Sequence, residues 1–245
     1  MTSVKNQGSC GSCWSFAGTA QYESLLALNG FNFDLSPEAA LECTSFYAPN
    51  KRVSDCQGGF FQDTFFFLAA VGSVPLATYP YLAGNYGSGP GYPSTPGICT
   101  DRNRIFLGQG SNDIYFRQFS TNGFTQNEIK ALLVTVGPLM IGLFANSAFS
   151  FYSSGIFTGC PTGSQYNINH AILLIGWTNT GWICKNQYGT GWGNQGYIEL
   201  DFTLDCGLRY LLGGVSVAKK NSNVQVNMDT GYVASNSTSG NVNWE

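Results

Sequence analysis

Charge is scarce in this sequence. Of its 245 residues, 11 are Lys or Arg and 14 are Asp or Glu, 10% in all. An average soluble domain carries about 25%. Asn, Ser, Thr, Gln and 31 glycines must therefore supply most of the polar surface. The net charge of −3 leaves no basic footprint, which argues against a nucleic-acid partner. Long apolar runs are missing too. The longest candidates, 65–71 and 171–175, fall well short of the roughly 20 residues that cross a bilayer, so they suit buried elements and no membrane partner is expected. Histidine occurs once, at His170, and no Cys-x-x-Cys pair accompanies that of Cys10 and Cys13. A structural zinc site with two close ligand pairs is therefore short of ligands. Residues 1–20 lack the basic start and apolar stretch of a secretion signal.

What is present suffices for a core. Hydrophobic residues make up 43% and aromatics 15%, which excludes disorder as a global state. The length suits one large domain or two modest ones. Eight cysteines, an even number, suggest disulfides in a lysosomal, vacuolar or secreted setting. Any targeting signal would then lie upstream of Met1.

The chain reads as helical first and sheet-rich second. Trp14 to Leu28 carries apolar residues at helical spacing, with Gly30 beyond its end. Ser36 caps a second helix, with Pro37 at its first position and Glu38 at its positive end. The stretch 58–72 reads as a third helix, apolar nearly all round. Thr125 and Glu128 form a capping box for a fourth. Residues 83–99, rich in Gly, Pro, Ser and Tyr, read as a long loop. The stretches 138–145, 170–177, 181–186, 196–200 and 210–217 read as strands between Gly and Asn turns. That order implies an α+β protein with a cleft between two halves. Residues 219–245 show no clear period and read as a mobile tail, with a glycosylation sequon at Asn236-Ser237-Thr238.

The stretch VKNQGSCGSCWSF, 4–16, poses the functional question. Its two cysteines could be half of a metal site, a thioredoxin-like redox pair, a disulfide anchor or a reactive thiol. A redox pair wants a preceding strand in a βαβ unit, and none is read there. A nucleophilic thiol must be held as thiolate, by a helix N-terminus and a nearby imidazole. Cys13 stands where the first helix begins. His170 opens an apolar strand and Asn186 follows it.

QGSCGSCWSF, NHAILLIGW and WICKNQYGTGWG resemble the three signature blocks of the papain family of cysteine peptidases, most closely its cathepsin L-like branch. CQGG at 56–59, YPY at 79–81 and CGLRY at 206–210 extend the resemblance over about residues 2–218. It implies a two-lobed fold: a helical lobe over 1–113 carrying the nucleophile and a β-barrel-like lobe over 114–218 carrying His and Asn. The cleft lies between them, and 219–245 is an Asn/Ser-rich tail on a single peptidase domain. Cys13 is then the nucleophile, ion-paired with His170. Asn186 orients the imidazole, Trp192 shields that hydrogen bond, and Gln7 donates to the oxyanion with the N–H of Cys13. No metal or cofactor is required. Gly58 and Gly59 border the cleft. Phe60, Phe61, Gly142, Ile168, Ala171 and Leu211 line an apolar pocket for the P2 residue, the second before the scissile bond; Asn169 also belongs to the substrate site. Cleavage is internal, because a single histidine cannot build the paired-histidine loop of dipeptide-removing relatives.

The same resemblance implies disulfides Cys10–Cys56, Cys43–Cys99 and Cys160–Cys206, with Cys184 an inert core residue. It implies a monomer acting on proteins or peptides and bound by its own prosegment or cystatin-like inhibitors. The family's catalytic domain begins about a dozen residues before Met1, after a signal and a prosegment; on that comparison the chain is a fragment or an incomplete gene model. Two features depart from the pattern. Gln187-Tyr188 stands where Ser-Trp is usual, and the span from Cys13 to His170 exceeds the usual separation of roughly 130–150 residues. The surplus falls in 44–55 and 83–99. A catalytically silent family member serving as a binding or structural protein is the competing expectation.

Overall fold

The computed structural model describes residues 1–47, 56–60, 63–65, 67–68, 72–83, 112–119, 123–160, 168–204, 206–219, 224–227 and 232–235. Phe61, Cys99, most of the two surplus stretches and the Asn236 sequon lie outside the described residues.

Helix α1 (Cys13–Leu28) runs through the middle of the molecule. Trp14, Phe16, Ala17, Tyr22, Leu25 and Leu26 are all buried, on every side of the helix. It ends where Gly30 takes a φ of +87°, with Phe31 N–H returning to the Leu26 carbonyl at 2.9 Å. Helix α2 (Pro37–Tyr47) opens as its sequence suggests: Ser36 Oγ accepts the Ala39 N–H at 3.2 Å. The third expected helix starts late. Gly58, Gly59 and Phe60 are not helical, and among the described residues helix occupies 63–65 and 67–68. Gly58 sits at φ +131°, which a helix cannot use. Gly72, at φ +71°, closes the stretch. Helix α3 (Gln126–Thr135) carries the capping box of Thr125 and Glu128 in full. A single-turn helix, α4 (Ser147–Ser150), is capped by Asn146, whose Oδ1 accepts the Phe149 N–H at 2.9 Å.

The described residues hold nine strands: β1 (Asn112–Phe119), β2 (Leu139–Leu143), β3 (Ile156–Phe157), β4 (His170–Trp177), β5 (Gly181–Lys185), β6 (Tyr197–Asp201), β7 (Leu212–Lys219), β8 (Val224–Asn227) and β9 (Tyr232–Ser235). The first seven form one sheet in the order β1-β7-β2-β4-β5-β6-β3. The last two pair as an antiparallel hairpin inside the segment that had shown no period. Strand β1 was not expected from the sequence. Its Asn, Asp, Arg and Gln break any apolar run, and its pairing partner is the distant β7.

The fold is thus α+β, with one core on each side of the central packing. Helices α1 and α2 and the helical residues 65, 67 and 68 enclose the first: Tyr22, Leu26, Leu35, Phe65, Phe67 and Leu68. The sheet and α3 enclose the second: Ile129, Leu139, Ile141, Phe149, Ile172, Trp182 and Leu200. Met140 and Ala171 reach from the sheet into the first core, so α1 lies directly on β2 and β4. That contact brings the start of α1 to the start of β4.

Candidate active site

Cys13 is the first residue of α1 and one of two free cysteines among the described residues; it is partly exposed, whereas Cys184 is fully buried. Ser12 is the N-cap but its side chain does not cap. Its Oγ lies 2.7 Å from the Tyr81 hydroxyl, which donates onward to the Gln7 carbonyl at 2.9 Å. The phenol has one hydrogen, so Ser12 must be the donor of the first bond. The N–H groups of Cys13 and Trp14 face the Cys13 sulfur, and the N–H of Ala171 joins them. Burial still pushes the Cys13 thiol above its ordinary pKa; those three N–H groups pull against it. The first turn of α1 holds no carboxylate to repel a thiolate.

His170 begins β4, one residue before the N–H that meets the sulfur. Its Nε2 lies 2.9 Å from Asn186 Oδ1, in a buried setting at the end of β5. Burial lowers its pKa to about 4, and the Asn186 bond works in the opposite direction. Taken singly, both groups prefer to be neutral. An ion pair forms only if each charge supplies what burial has removed from the other.

The ring over the imidazole is Tyr188. Its centroid is 5.0 Å from that of His170, tilted by 32°. Trp192 stands behind it, 5.4 Å from Tyr188, and its indole N–H goes to the Phe149 and Ser150 carbonyls. Phe149 completes the wall, edge-on to His170 at 5.8 Å. Trp192, expected to shield the His170–Asn186 bond, packs against Tyr188 and Phe149. Burial, and after it the charge of Cys13, push the Tyr188 phenol up to about 12.

Gln7 is buried in the turn before α1. Its Nε2 donates to the Cys10 carbonyl at 2.8 Å and its backbone N–H to the Gln187 carbonyl at 2.9 Å. Its Oε1 is buried without a partner. Cys10 is bonded to Cys56, and Cys160 to Cys206. Cys43 is disulfide-bonded as well; Cys99, its expected partner, lies outside the described residues. With Cys10 tied to Cys56, neither a Cys10–Cys13 redox pair nor a shared metal site is present here.

Of the residues expected around the substrate, Gly142, Ile168, Ala171 and Leu211 come together. Gly142 pairs with Ala171 across β2 and β4. A Cβ on Gly142 would fall 2.6 Å from Leu211 and 2.8 Å from Ile168, so only glycine fits beneath those two side chains. Gly59 is fixed for a similar reason: a Cβ there would lie 2.5 Å from the Trp14 ring. Gly58 has open space around it, and its positive φ is what calls for glycine. Phe60 is 56% exposed. Asn169 exchanges hydrogen bonds with the N–H and carbonyl of Ala145, between β2 and α4. Sequence reasoning overlooked Phe149 and gave Tyr81 no role. Tyr81 stood in the quoted YPY block; Phe149 carried no local signal.

The model of the papain family of cysteine proteases matches residues 1–211. Ananain of Ananas comosus is 32% identical over 207 residues, 82% of this chain and 52% of ananain. A viral cathepsin of Adoxophyes honmai nucleopolyhedrovirus is 33% identical over 216 residues, 85% of this chain and 56% of its own. The chain thus spans somewhat over half the length of these relatives. Among solved structures, the bromelain protease from Ananas comosus in complex with the E64 inhibitor is 27% identical, with a TM-score of 0.66 over 88% of this chain and 93% of that one. Since that family model matches well over half of the chain, this chain is a member of the papain family of cysteine proteases.

Proposed function

We propose that the protein is a cysteine endopeptidase that cleaves proteins or peptides through a thioester intermediate. One observation carries this reading. The free thiol of Cys13, at the open end of α1, meets the N–H beside His170, and the far nitrogen of that imidazole is held by Asn186. Burial opposes either charge alone, but at about 4 Å and an effective dielectric near 20 two opposite charges attract by about 4 kcal/mol. That attraction, with three N–H groups on the sulfur, favours the thiolate–imidazolium pair. The thiolate attacks the scissile carbonyl carbon. The oxyanion is received by the Cys13 N–H and by the Gln7 Nε2 hydrogen not given to Cys10. The imidazolium protonates the departing amine as the C–N bond breaks. Water then gives a proton to His170 while its oxygen attacks the thioester, and the acid leaves as Cys13 returns to thiolate.

The remaining features fit the same reading. A helical lobe over 1–113 presents Cys13, a β-rich lobe over 114–218 presents His170 and Asn186, and 219–245 is a tail. Gly142, Ile168, Ala171 and Leu211, with Phe60, form an apolar P2 pocket that prefers Leu, Val or Phe and disfavours Arg. The protein acts as a monomer in a lysosomal, vacuolar or secreted setting, held by a prosegment or by cystatin-like inhibitors. Among the described residues no helix is long and apolar enough to cross a membrane.

An epoxide thiol probe on the refolded chain tests the chemistry. Stoichiometric labelling at Cys13, lost in Cys13→Ala with unchanged circular dichroism, is the expected outcome. A folded protein that takes no label at Cys13 points instead to a silent binding module. Profiling with peptide libraries tests the pocket: cleavage after Leu-Arg should far exceed cleavage after Arg-Arg, and the reverse order would sink the P2 assignment.

A further inference from the structure

We infer that Gln187 is a positioning residue that sets the proton balance of His170, by presenting an amide N–H to the same ring nitrogen that bonds Asn186. The inference deepens the peptidase reading and rests on it for its functional meaning. Gln187 is buried, with its side chain turned inward. Its Nε2 donates to the Ala171 carbonyl at 2.7 Å and lies 3.5 Å from His170 Nε2. Asn186 Oδ1 is 2.9 Å from that same Nε2. One ring nitrogen therefore faces an acceptor and a donor at once. A protonated Nε2 gives its hydrogen to Asn186 and meets the Gln187 N–H head-on. A bare Nε2 instead accepts from Gln187 and turns its lone pair from the Asn186 oxygen.

The consequence follows from the tautomers. In the peptidase reading, the nitrogen facing Cys13 must be free to take a proton, so the neutral ring must keep its hydrogen on Nε2. The Gln187 donor favours the other tautomer, with the hydrogen on Nδ1 and Nε2 bare, and it disfavours the imidazolium. Gln187 also fixes the two flanks of the site, through its bond to Ala171, whose N–H meets the sulfur, and through its own carbonyl, which holds the Gln7 N–H. Serine at this place, usual in the family resemblance, is too short to span both contacts. Among the described residues, Tyr188 after β5 brings its phenol against the ring, and Cys13 of α1 meets the N–H of the next residue, Ala171. Leu143 of β2, its register partner, and Phe149 of α4 bring none. Lys185, at the end of β5, directs its ammonium to Thr2.

The chain has one histidine, so protein labelled with 15N-histidine reports this ring alone. The measurement is made in a Cys13→Ala background, which removes the thiolate charge from the titration. At alkaline pH the ring should be a mixture of both neutral tautomers. In Gln187→Met and Gln187→Ser it should become the Nε2–H form only, and its midpoint should rise by about half a pH unit or more. A ring that is already purely Nε2–H with Gln187 in place overturns the inference, and needs no variant to fold. So does an unmoved midpoint in both variants. With Cys13 restored, the alkaline limb of kcat/KM should rise by the same amount in Gln187→Ser, a displacement that mere loss of packing would not produce. Because the nitrogen spectra are read without turnover, an unreactive Cys13 would defeat the peptidase reading while leaving this one standing.

Discussion

At the residue scale, Gln7 shows how a side chain can be half committed to structure. One Nε2 hydrogen holds the Cys10 carbonyl beside the Cys10–Cys56 bridge, and the Oε1 is buried without a partner. The second Nε2 hydrogen is what remains for an oxyanion. Removing one such donor costs about 10²–10³ in kcat, about 2.7–4 kcal/mol, because the bond strengthens only as charge develops. Gln7→Ala should therefore lower kcat by that factor with a small change in KM, measured on a fluorogenic Leu-Arg peptide. Loss confined to KM would place Gln7 in ground-state binding instead. Residues such as Cys13, His170, Asn186 and Gln7 are legible in sequence because their types and order are displayed in three compact blocks. Their surroundings are not. Phe149 reaches the edge of His170 from α4, and the Gln187 amide turns back onto the same ring nitrogen as Asn186; both directions depend on packing that no local pattern encodes.

At the scale of elements, the decisive contact is α1 against the helical residues 63–65. Gly18 lies there, and a Cβ on it would stand 2.4 Å from Thr64 Cγ2. Two effects compete in Gly18→Ala. Alanine gains about 1 kcal/mol in helix propensity, while overpacking a closed core costs about 1–3 kcal/mol. At 2.4 Å the second should win, so Gly18→Ala should lower unfolding stability by about 1 kcal/mol in urea titrations. Thr64→Ser removes the nearest atom and leaves the Thr64 Cβ, 2.8 Å from the added one. In that background the same Gly18→Ala change should cost less; an equal loss in both backgrounds would show that the contact is not the cause. Elements with local signals were readable: the Thr125–Glu128 box and the Ser36-Pro37 start appear as expected. Those that depend on distant pairing were not. Strand β1 exists through its eight-residue register with β7; Gly58 stays out of the helix at φ +131°, and Gly59 lies against the Trp14 ring.

For the whole molecule, the buried bases decide how stability follows pH. His170 titrates near 4 when folded against 6.5 for the free side chain, with burial as the main cause. Lys185 is likewise lowered by burial, to about 8 from 10.5. For both, the unfolded chain binds more protons between the two values, so stability rises with pH across each window. The histidine contribution is complete above about pH 6.5 and is lost as pH falls toward 4. A gap of that size corresponds to about 3 kcal/mol. The lysine contribution would appear only between about pH 8 and 10.5, where thiol exchange complicates equilibrium unfolding. The acid window is therefore the one to measure. In a Cys13→Ala background, free of self-cleavage and of the thiolate charge, urea unfolding should weaken steeply between pH 6.5 and 4.5. Cys13→Ala/His170→Gln keeps every carboxylate and loses only the imidazole, so its stability should fall less over the same range, by about 2–3 kcal/mol. Identical pH dependence in the two proteins would mean that the ring is not buried in its neutral form, and the environment assigned to His170 would have to be given up.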